Sequence, residues 1–364
     1  MRLRLLPGED LPAGLAEALA GGDPIAPLPE PRLLPALRPA EPVVEPDAAA
    51  VVTTSGSTGE PKAVVLGRAA IRFAVHAAHE RLGGPGDWVC ALPTQHIAGL
   101  MTIARAVVAG TGIRFAAPDL SDLPPASGRG YVSLVAAQLD QALERPATAT
   151  RLAGYAAVLV GGGALPAGLR ERAAGAGVRL VATYGMSETC GGCVYDGVPL
   201  AGMRVELDGE RISLGGPMAF SGYRLRPDLT AAVLAGDLVR TQDRGRWRDG
   251  RLEVLGRIDD VVVSGGEKVD LAAAQRVCEE LFGPGVLALL AVPDPRWGAR
   301  VVALATTSLD LAHVRARLGD RLGRAALPKE LRAVPRLAYT SLGKLDRAAL
   351  QRSWQEVGAD GDVG

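Results

Sequence analysis

The stretch Val51-Val52-Thr53-Thr54-Ser55-Gly56-Ser57-Thr58-Gly59-Glu60-Pro61-Lys62 decides how this chain is read. It opens on an apolar run that reads as a strand, and a helical pattern follows at 69–82. Five hydroxyl side chains, two glycines and one lysine fall within residues 53–62. Glycines let backbone N–H groups come close to phosphate oxygens, hydroxyls add donors, and an ammonium offsets negative charge. The spacing is not that of a Walker A loop. A flexible Ser/Thr/Gly surface loop has the same composition, so the rest of the chain must decide.

Working outward, strands are expected at 51–53, 88–92, 130–135, 156–160 and 179–182, and helices at 69–82, 99–109, 135–143 and 166–176. Strands interleaved with helices of this length predict a largely parallel α/β sheet. Residues 203–257 switch to short strands with turns at Asp208-Gly209 and Asp249-Gly250, a hairpin-rich β subregion. A unit of strand–helix–strand–helix rhythm follows. Upstream, residues 21–46 hold eight prolines and little periodicity, so 1–46 reads as a Pro-rich leader and extended connector. The expected architecture is α/β: a large N-terminal domain over 1–256, a hinge at 257–260, and a small mobile α+β domain over 261–364.

Composition narrows the function. Lys+Arg and Asp+Glu are both 40 among 364 residues, so the formal net charge is zero. A nucleic-acid or anionic-membrane partner would usually call for a basic surplus. No apolar run approaches the roughly 20 residues a membrane span needs. Residues 1–10 carry two arginines but no apolar core before Gly8, Glu9 and Asp10, so neither a signal peptide nor membrane insertion is expected and the location reads as cytoplasmic. Cys190 and Cys193 form a C-x-x-C pair, yet neither Cys90, Cys278 nor the four histidines supply a second ligand pair at a recognisable spacing, so structural thiols are expected. The chain has 36 arginines and only four lysines, Lys62, Lys268, Lys329 and Lys344. An ammonium and a guanidinium do different chemistry, and two of the four lysines stand in the strongest motifs.

The string Thr54-Ser55-Gly56-Ser57-Thr58-Gly59-Glu60-Pro61-Lys62 resembles the phosphate loop of the adenylate-forming superfamily of acyl- and aryl-CoA ligases, peptide-synthetase adenylation domains and luciferases. Further matches follow in that superfamily's order: Thr183-Tyr184-Gly185-Met186-Ser187-Glu188-Thr189, then Thr241-Gln242-Asp243, then Gly256-Arg257-Ile258-Asp259-Asp260 with Ser264-Gly265-Gly266-Glu267, and last Thr340-Ser341-Leu342-Gly343-Lys344-Leu345-Asp346-Arg347. The landmarks span 53–347. Full-length members carry roughly a domain's worth of sequence before the phosphate loop, so a shortened N-terminus is expected here.

The resemblance implies ATP, Mg²⁺ and coenzyme A as cofactors and assigns roles. Thr54, Ser55, Gly56, Ser57, Thr58, Gly59 and Lys62 would hold phosphates. Gly161, Gly162 and Gly163 would admit the adenine and acyl group, Tyr184 and Gly185 would face the adenine, and Ser187 would contact the α-phosphate. Glu188 would coordinate Mg²⁺, Asp243 would accept the ribose hydroxyls, and Arg257 would reach ribose or phosphate. Asp259 would be the hinge, while Gly265 and Gly266 would line the coenzyme A tunnel. Lys344 would stabilise the charge that builds up as a carboxylate attacks the α-phosphate.

Gln95-His96-Ile97-Ala98-Gly99 resembles an acyl-pocket motif and makes His96 a candidate catalytic residue. The run Tyr184-Gly185-Met186-Ser187-Glu188-Thr189-Cys190-Gly191-Gly192-Cys193-Val194-Tyr195-Asp196-Gly197-Val198-Pro199, together with Ser133-Leu134-Val135-Ala136-Ala137-Gln138-Leu139, is similar to the o-succinylbenzoate–CoA ligases, especially their compact actinobacterial form. That implies a small carboxylic acid and CoA as partners, menaquinone synthesis as the setting, and Met186, Ser133, Arg105 and Arg72 as acyl-pocket candidates. The resemblance admits a homodimer. Other aryl- or acyl-CoA ligases, a carrier-loading adenylating enzyme and a non-catalytic nucleotide-binding module remain as alternatives.

Overall fold

Strand Ala48–Thr54 begins with six buried residues, the first five an unbroken apolar run, as a strand covered on both faces requires. The computed structural model describes residues 1–45, 47–54, 61–166, 168–339 and 345–359. Ser55, Gly56, Ser57, Thr58 and Gly59 of the expected phosphate loop, and Lys344, lie outside the described residues. Strand Ala48–Thr54 pairs antiparallel with strand Lys62–Gly67, setting Thr54 opposite Lys62. The quoted stretch therefore joins two strands; helix Arg68–Leu82 begins within one residue of its expected start, but strand Lys62–Gly67 before it was not expected. Residues 63–66, Ala-Val-Val-Leu, are all buried. They form a short apolar run without alternation, which periodicity alone cannot assign.

Residues 1–45 depart from the expected leader. Strands Arg4–Leu6 and Ile25–Pro27 pair in parallel and extend the same sheet beside Ala48–Thr54. Helix Leu11–Leu19 buries Leu11, Leu15, Ala18 and Leu19 in the main core. Several of the prolines that read as breakers sit at helix starts: Pro12, Pro31 and Pro35 occupy first-turn positions. A missing N–H costs nothing at those positions. Strands of three residues are too short to show a period.

The central sheet has the order Val198–Pro199, Gly191–Tyr195, Leu180–Met186, Ala157–Gly161, Gly130–Val135, Asp87–Cys90, Ile113–Phe115. The last five are mutually parallel, as the interleaved pattern predicted, and the first two run antiparallel. Side chains alternate across it. Trp88, Tyr131, Leu159 and Val181 pack with helices Arg68–Leu82 and Ile97–Ala109. Val89, Val132, Val158 and Leu180 pack with helices Ala136–Leu143, Pro146–Ala153 and Leu169–Gly175.

Strands Leu238–Arg248 and Arg251–Arg257 are joined by Asp249 and Gly250 at φ 49° and 71°. Two positive values are what a tight hairpin turn demands, and Asp-Gly supplies them. The chain forms two compact units, and the first holds Met1–Asp208, Ile212–Thr241 and Trp247–Leu252. The second holds Gly209–Arg211, Gln242–Arg246 and Glu253–Gly364. In the second unit, strands Val261–Ser264, Glu267–Asp270, Leu287–Asp294, Gly298–Ala305 and Leu331–Ala333 form one sheet. Helices Leu271–Phe282 and Leu311–Gly319 cover one of its faces, and helix Arg347–Ala359 covers the other through Leu350 and Trp354. Among the described residues no helix is long and apolar enough to cross a membrane.

Candidate active site

In the first unit the expected site residues gather at one edge of the central sheet. His96 follows strand Asp87–Cys90, Ser133 lies in strand Gly130–Val135, and Gly161 ends its own strand, followed by Gly162 and Gly163. Tyr184, Gly185 and Met186 close strand Leu180–Met186. These are carboxyl ends of parallel strands, where α/β sheets bind ligands.

Two glycines at this edge are required by close approach. A Cβ on Gly185 would lie 2.0 Å from the Gly191 carbonyl oxygen, and one on Gly161 would lie 2.4 Å from Thr183 Oγ1. Gly185 is paired with Gly192 across the antiparallel ladder, so the chain can turn sharply into Ser187–Thr189. Thr189 Oγ1 accepts the Met186 N–H at 3.1 Å and donates to the Gly191 carbonyl, fixing that turn. Ser187 is buried at its start and Glu188 is half-buried beside it.

Glu188 meets the first sheet through two bonds. The Phe220 N–H donates to the Glu188 carbonyl at 2.9 Å, and the Tyr223 hydroxyl donates to Glu188 Oε1 at 2.7 Å. Lys62 Nζ stands 5.2 Å from the centre of the Tyr223 ring. Burial, followed by the Glu188 charge, raises the Tyr223 phenol far above its ordinary value, so it remains a neutral donor. Thr54 sits opposite Lys62, so the two frame the ends of the phosphate stretch. Glu188 has one carboxylate oxygen engaged by Tyr223 and a second that no described side chain occupies. A half-buried oxygen donor of this kind fits a hard divalent cation.

His96 caps helix Ile97–Ala109 from an extended backbone. Burial lowers its pKa, with the Glu30 charge acting the other way, so the ring is held neutral at physiological pH. Nine positions on, Arg105 is 6% exposed. Its guanidinium lies 4.9 Å over the Trp88 ring and donates to the Tyr195 hydroxyl at 3.3 Å, while its Nε has no partner among the described residues. Ser133 pairs in register with Cys90 on the same sheet face as Trp88, and its buried hydroxyl also has no partner among the described residues. Arg72 is placed differently: it donates to the Leu19 carbonyl of the N-terminal helix. Cys190 and Cys193 are fully buried thiols pushed up to about 12, by burial in the first place, which keeps them protonated.

In the second unit, Arg257 forks onto Asp259 through Nε at 2.8 Å and Nη2 at 2.7 Å, and reaches Asp243 at 3.5 Å. Gln242 lies within strand Leu238–Arg248, where extended backbone needs no glycine, and its carbonyl accepts the Ile258 N–H at 2.7 Å. Asp260 pairs with Arg347 at 2.8 Å, tying the expected hinge to the base of the last helix. Gly265 is at φ 61°, and a Cβ there would lie 2.6 Å from the Trp297 ring.

Sequence reasoning missed Tyr223. A Gly-Tyr pair among turn residues carries no spacing that points to Glu188, 35 positions away. Backbone pairing with Val64 brings the two together, and that pairing is visible only in the fold.

Comparison with known proteins shows the family and the fold. The AMP-binding enzyme family model matches residues 9–234. A Mycobacterium tuberculosis relative named probable 2-succinylbenzoate–CoA ligase is 43% identical over 369 residues, 94% of each chain. The 2-succinylbenzoate–CoA ligase of Escherichia coli is 29% identical over 316 residues, 82% of this chain and 67% of its own. Among solved structures, an E. coli MenE variant with bound OSB-AMS aligns with a TM-score of 0.77 at 25% identity, covering 98% of this chain and 88% of its own. The o-succinylbenzoate CoA synthetase of Bacillus subtilis, in complex with the acyl-adenylate intermediate OSB-AMP, aligns at 0.74 and 25% identity over 84% of this chain and 69% of its own. The fold is therefore the adenylate-forming enzyme fold, and this chain belongs to the AMP-binding enzyme family.

Proposed function

We propose that this protein is an AMP-forming acid–thiol ligase that converts 2-succinylbenzoate to its CoA thioester through an acyl-AMP, in the cytoplasm and on the route to menaquinone. The observation that carries the reading is the Lys62–Tyr223–Glu188 arrangement. It sets an ammonium from the phosphate stretch beside a carboxylate suited to a divalent cation, at the ligand-binding edge of an α/β sheet. The similarity to 2-succinylbenzoate–CoA ligases supports the choice of acid.

In the first step a carboxylate oxygen of the acid attacks the α-phosphorus of ATP, and pyrophosphate leaves. Thr54, Ser55, Ser57, Thr58 and Lys62 hold the phosphates, with Gly56 and Gly59 allowing close backbone approach. Mg²⁺, held by Glu188, would offset the charge that collects on the departing pyrophosphate. Ser187 contacts the α-phosphate, Tyr184 takes the adenine face, and Gly161, Gly162 and Gly163 leave room for the adenylate. His96, neutral and half-buried, lines the acyl site. Asp243 takes the ribose hydroxyls, and Arg257, steered by Asp259, reaches ribose or phosphate.

Lys344 supplies the cation that stabilises the transition state of this step. In the second step the CoA sulfur attacks the acyl carbon and AMP leaves. Gly265 and Gly266 line the thiol's approach, and Asp259 is the hinge between the two steps. Arg105 is the best of the candidates for the acid's second carboxylate. It is a buried cation with no carboxylate partner among the described residues, whereas Arg72 is engaged by the N-terminal helix.

A panel of aromatic and aliphatic acids, assayed for AMP release with and without CoA, tests the reading. 2-Succinylbenzoate is expected to give CoA-dependent AMP, and Lys344→Ala is expected to lose acyl-AMP formation while still thioesterifying supplied acyl-AMP. Turnover of another acid with none of 2-succinylbenzoate would refute the substrate. Equal loss of both steps in Lys344→Ala would refute the role of the lysine.

A further inference from the structure

Tyr223 stands between two groups of opposite charge, and several independent contacts hold it there. Strand Gly222–Tyr223 pairs antiparallel with strand Lys62–Gly67, Tyr223 opposite Val64. Lys62 is two residues before Val64, so it shares a sheet face with Tyr223 as a diagonal neighbour, within reach of a long side chain. That register is why Lys62 Nζ lies 5.2 Å from the Tyr223 ring centre. The Tyr223 N–H donates to Thr230 Oγ1 at 2.9 Å, and Phe220 meets its ring edge-on at 5.0 Å. Next along the chain, Arg224 is anchored to four carbonyls of residues 37–42. The hydroxyl that reaches Glu188 is thus presented by a fixed backbone and a fixed ring.

We propose that Tyr223 is a positioning residue for both charged groups: its hydroxyl orients the Glu188 carboxylate, and its ring keeps the Lys62 ammonium from pairing with that carboxylate. The ammonium lies over the ring and the carboxylate at the hydroxyl of one side chain, so removing that side chain would let the two opposite charges turn to each other. That pair would have to be broken each time an ATP–Mg²⁺ complex bound. With the ring between them, the carboxylate keeps one oxygen available to a divalent cation and the ammonium stays available to phosphate. The inference rests on the reading of Glu188 as the Mg²⁺ ligand and Lys62 as a phosphate ligand.

Binding measurements separate its two halves. ATP binding is followed by calorimetry across a Mg²⁺ series and in excess EDTA, on the full chain. Tyr223→Phe keeps the ring and loses the hydroxyl. It is expected to raise the Mg²⁺ concentration for half-maximal enhancement of ATP binding by about tenfold, the usual scale for losing an outer-shell partner of a metal ligand. Metal-free ATP binding should stay within about twofold, because Lys62 is still insulated. Tyr223→Leu loses ring and hydroxyl, and should also weaken metal-free ATP binding several-fold as Lys62 pairs with Glu188. In Tyr223→Leu combined with Glu188→Gln that metal-free loss should be recovered, which a merely structural role for the ring would not produce. An unmoved Mg²⁺ midpoint in Glu188→Gln overturns the assignment of Glu188 and the inference with it. A moved midpoint in Glu188→Gln with an unmoved one in Tyr223→Phe overturns the inference alone.

Discussion

Replacing Arg224 by Met tests how the N-terminal 45 residues are held to the site. Arg224 is 3% exposed. It donates to the carbonyls of Leu37 at 2.6 Å, Glu41 at 2.6 Å, Arg38 at 3.0 Å and Pro42 at 3.4 Å. Bonds from a charged donor contribute about 1.5 kcal/mol each, and the long one about half that, so the gross loss is about 5 kcal/mol. Burying a guanidinium has its own desolvation cost, which Met removes, and the net loss falls to about 3 kcal/mol. The alternative is local release of residues 37–43, so that their carbonyls reach water. That would expose Leu37 and Val43, buried at 0% and 2%. Each contributes roughly 2 kcal/mol, so the second route costs about 4 kcal/mol and gives no easier escape. Amide hydrogen exchange reads the result at the Val43 N–H, which bonds to the Met1 carbonyl. A loss of about 3 kcal/mol corresponds to a drop in its protection on the order of 100-fold. Arg224→Lys should recover only part of it, because a single ammonium cannot reproduce the fork. Protection at Val43 within about threefold of the original chain would refute the clamp.

His79 is 5% exposed, accepts from Trp88 Nε1 at 3.2 Å, and has its pKa lowered to about 4, first by burial and then by the charges of Arg105 and His76. The unfolded chain takes up a proton near 6.5 that the fold refuses until about 4, so stability present above 6.5 drains away as pH falls through that window. At about 1.4 kcal/mol per pH unit the loss is about 3 kcal/mol, and urea titrations from pH 7 to 4 should show that His79→Gln lacks this component. Parallel curves for the two proteins would count against it. Gly185→Ala places a methyl 2.0 Å from a backbone oxygen that has no flexible end to move. It should cost about 3 kcal/mol and displace the Ser187–Thr189 turn, so pyrophosphate release should collapse along with the urea midpoint. A midpoint within about 0.5 kcal/mol of the original chain would show that the strands part more easily than their ladder suggests.

Long elements with a full period were legible in the sequence. The helices Arg68–Leu82, Ile97–Ala109 and Leu271–Phe282 and the parallel strands of the central sheet lie within a few residues of where the apolar pattern put them. Strand Lys62–Gly67 and the three-residue N-terminal strands were not legible, because a run that short fits several structures until a neighbour pairs with it. The site divides the same way. Glu188, Tyr184 and Gly185 stand in a contiguous motif and could be read as one. Tyr223, Arg224 and Tyr195 act through partners distant in sequence. Arg105 was readable as a candidate, but its standing over Arg72 depends on which of the two has a buried nitrogen without a partner among the described residues.

On the role proposed for Arg105, it and Ser133 also link recognition to durability. Both are buried; among the described residues the guanidinium faces a tyrosine hydroxyl and an indole ring instead of a carboxylate, and the Ser133 hydroxyl is unpartnered. Polar groups left this way weaken a fold, and a doubly charged acid that met them would strengthen it by its own free energy of binding. Tolerance to heat and affinity for the second charge then rise or fall together as acid is added. With that proposed role, substituting Leu at position 105 is expected to pull them apart: a sturdier interior, and a loss of preference for two carboxylates over one.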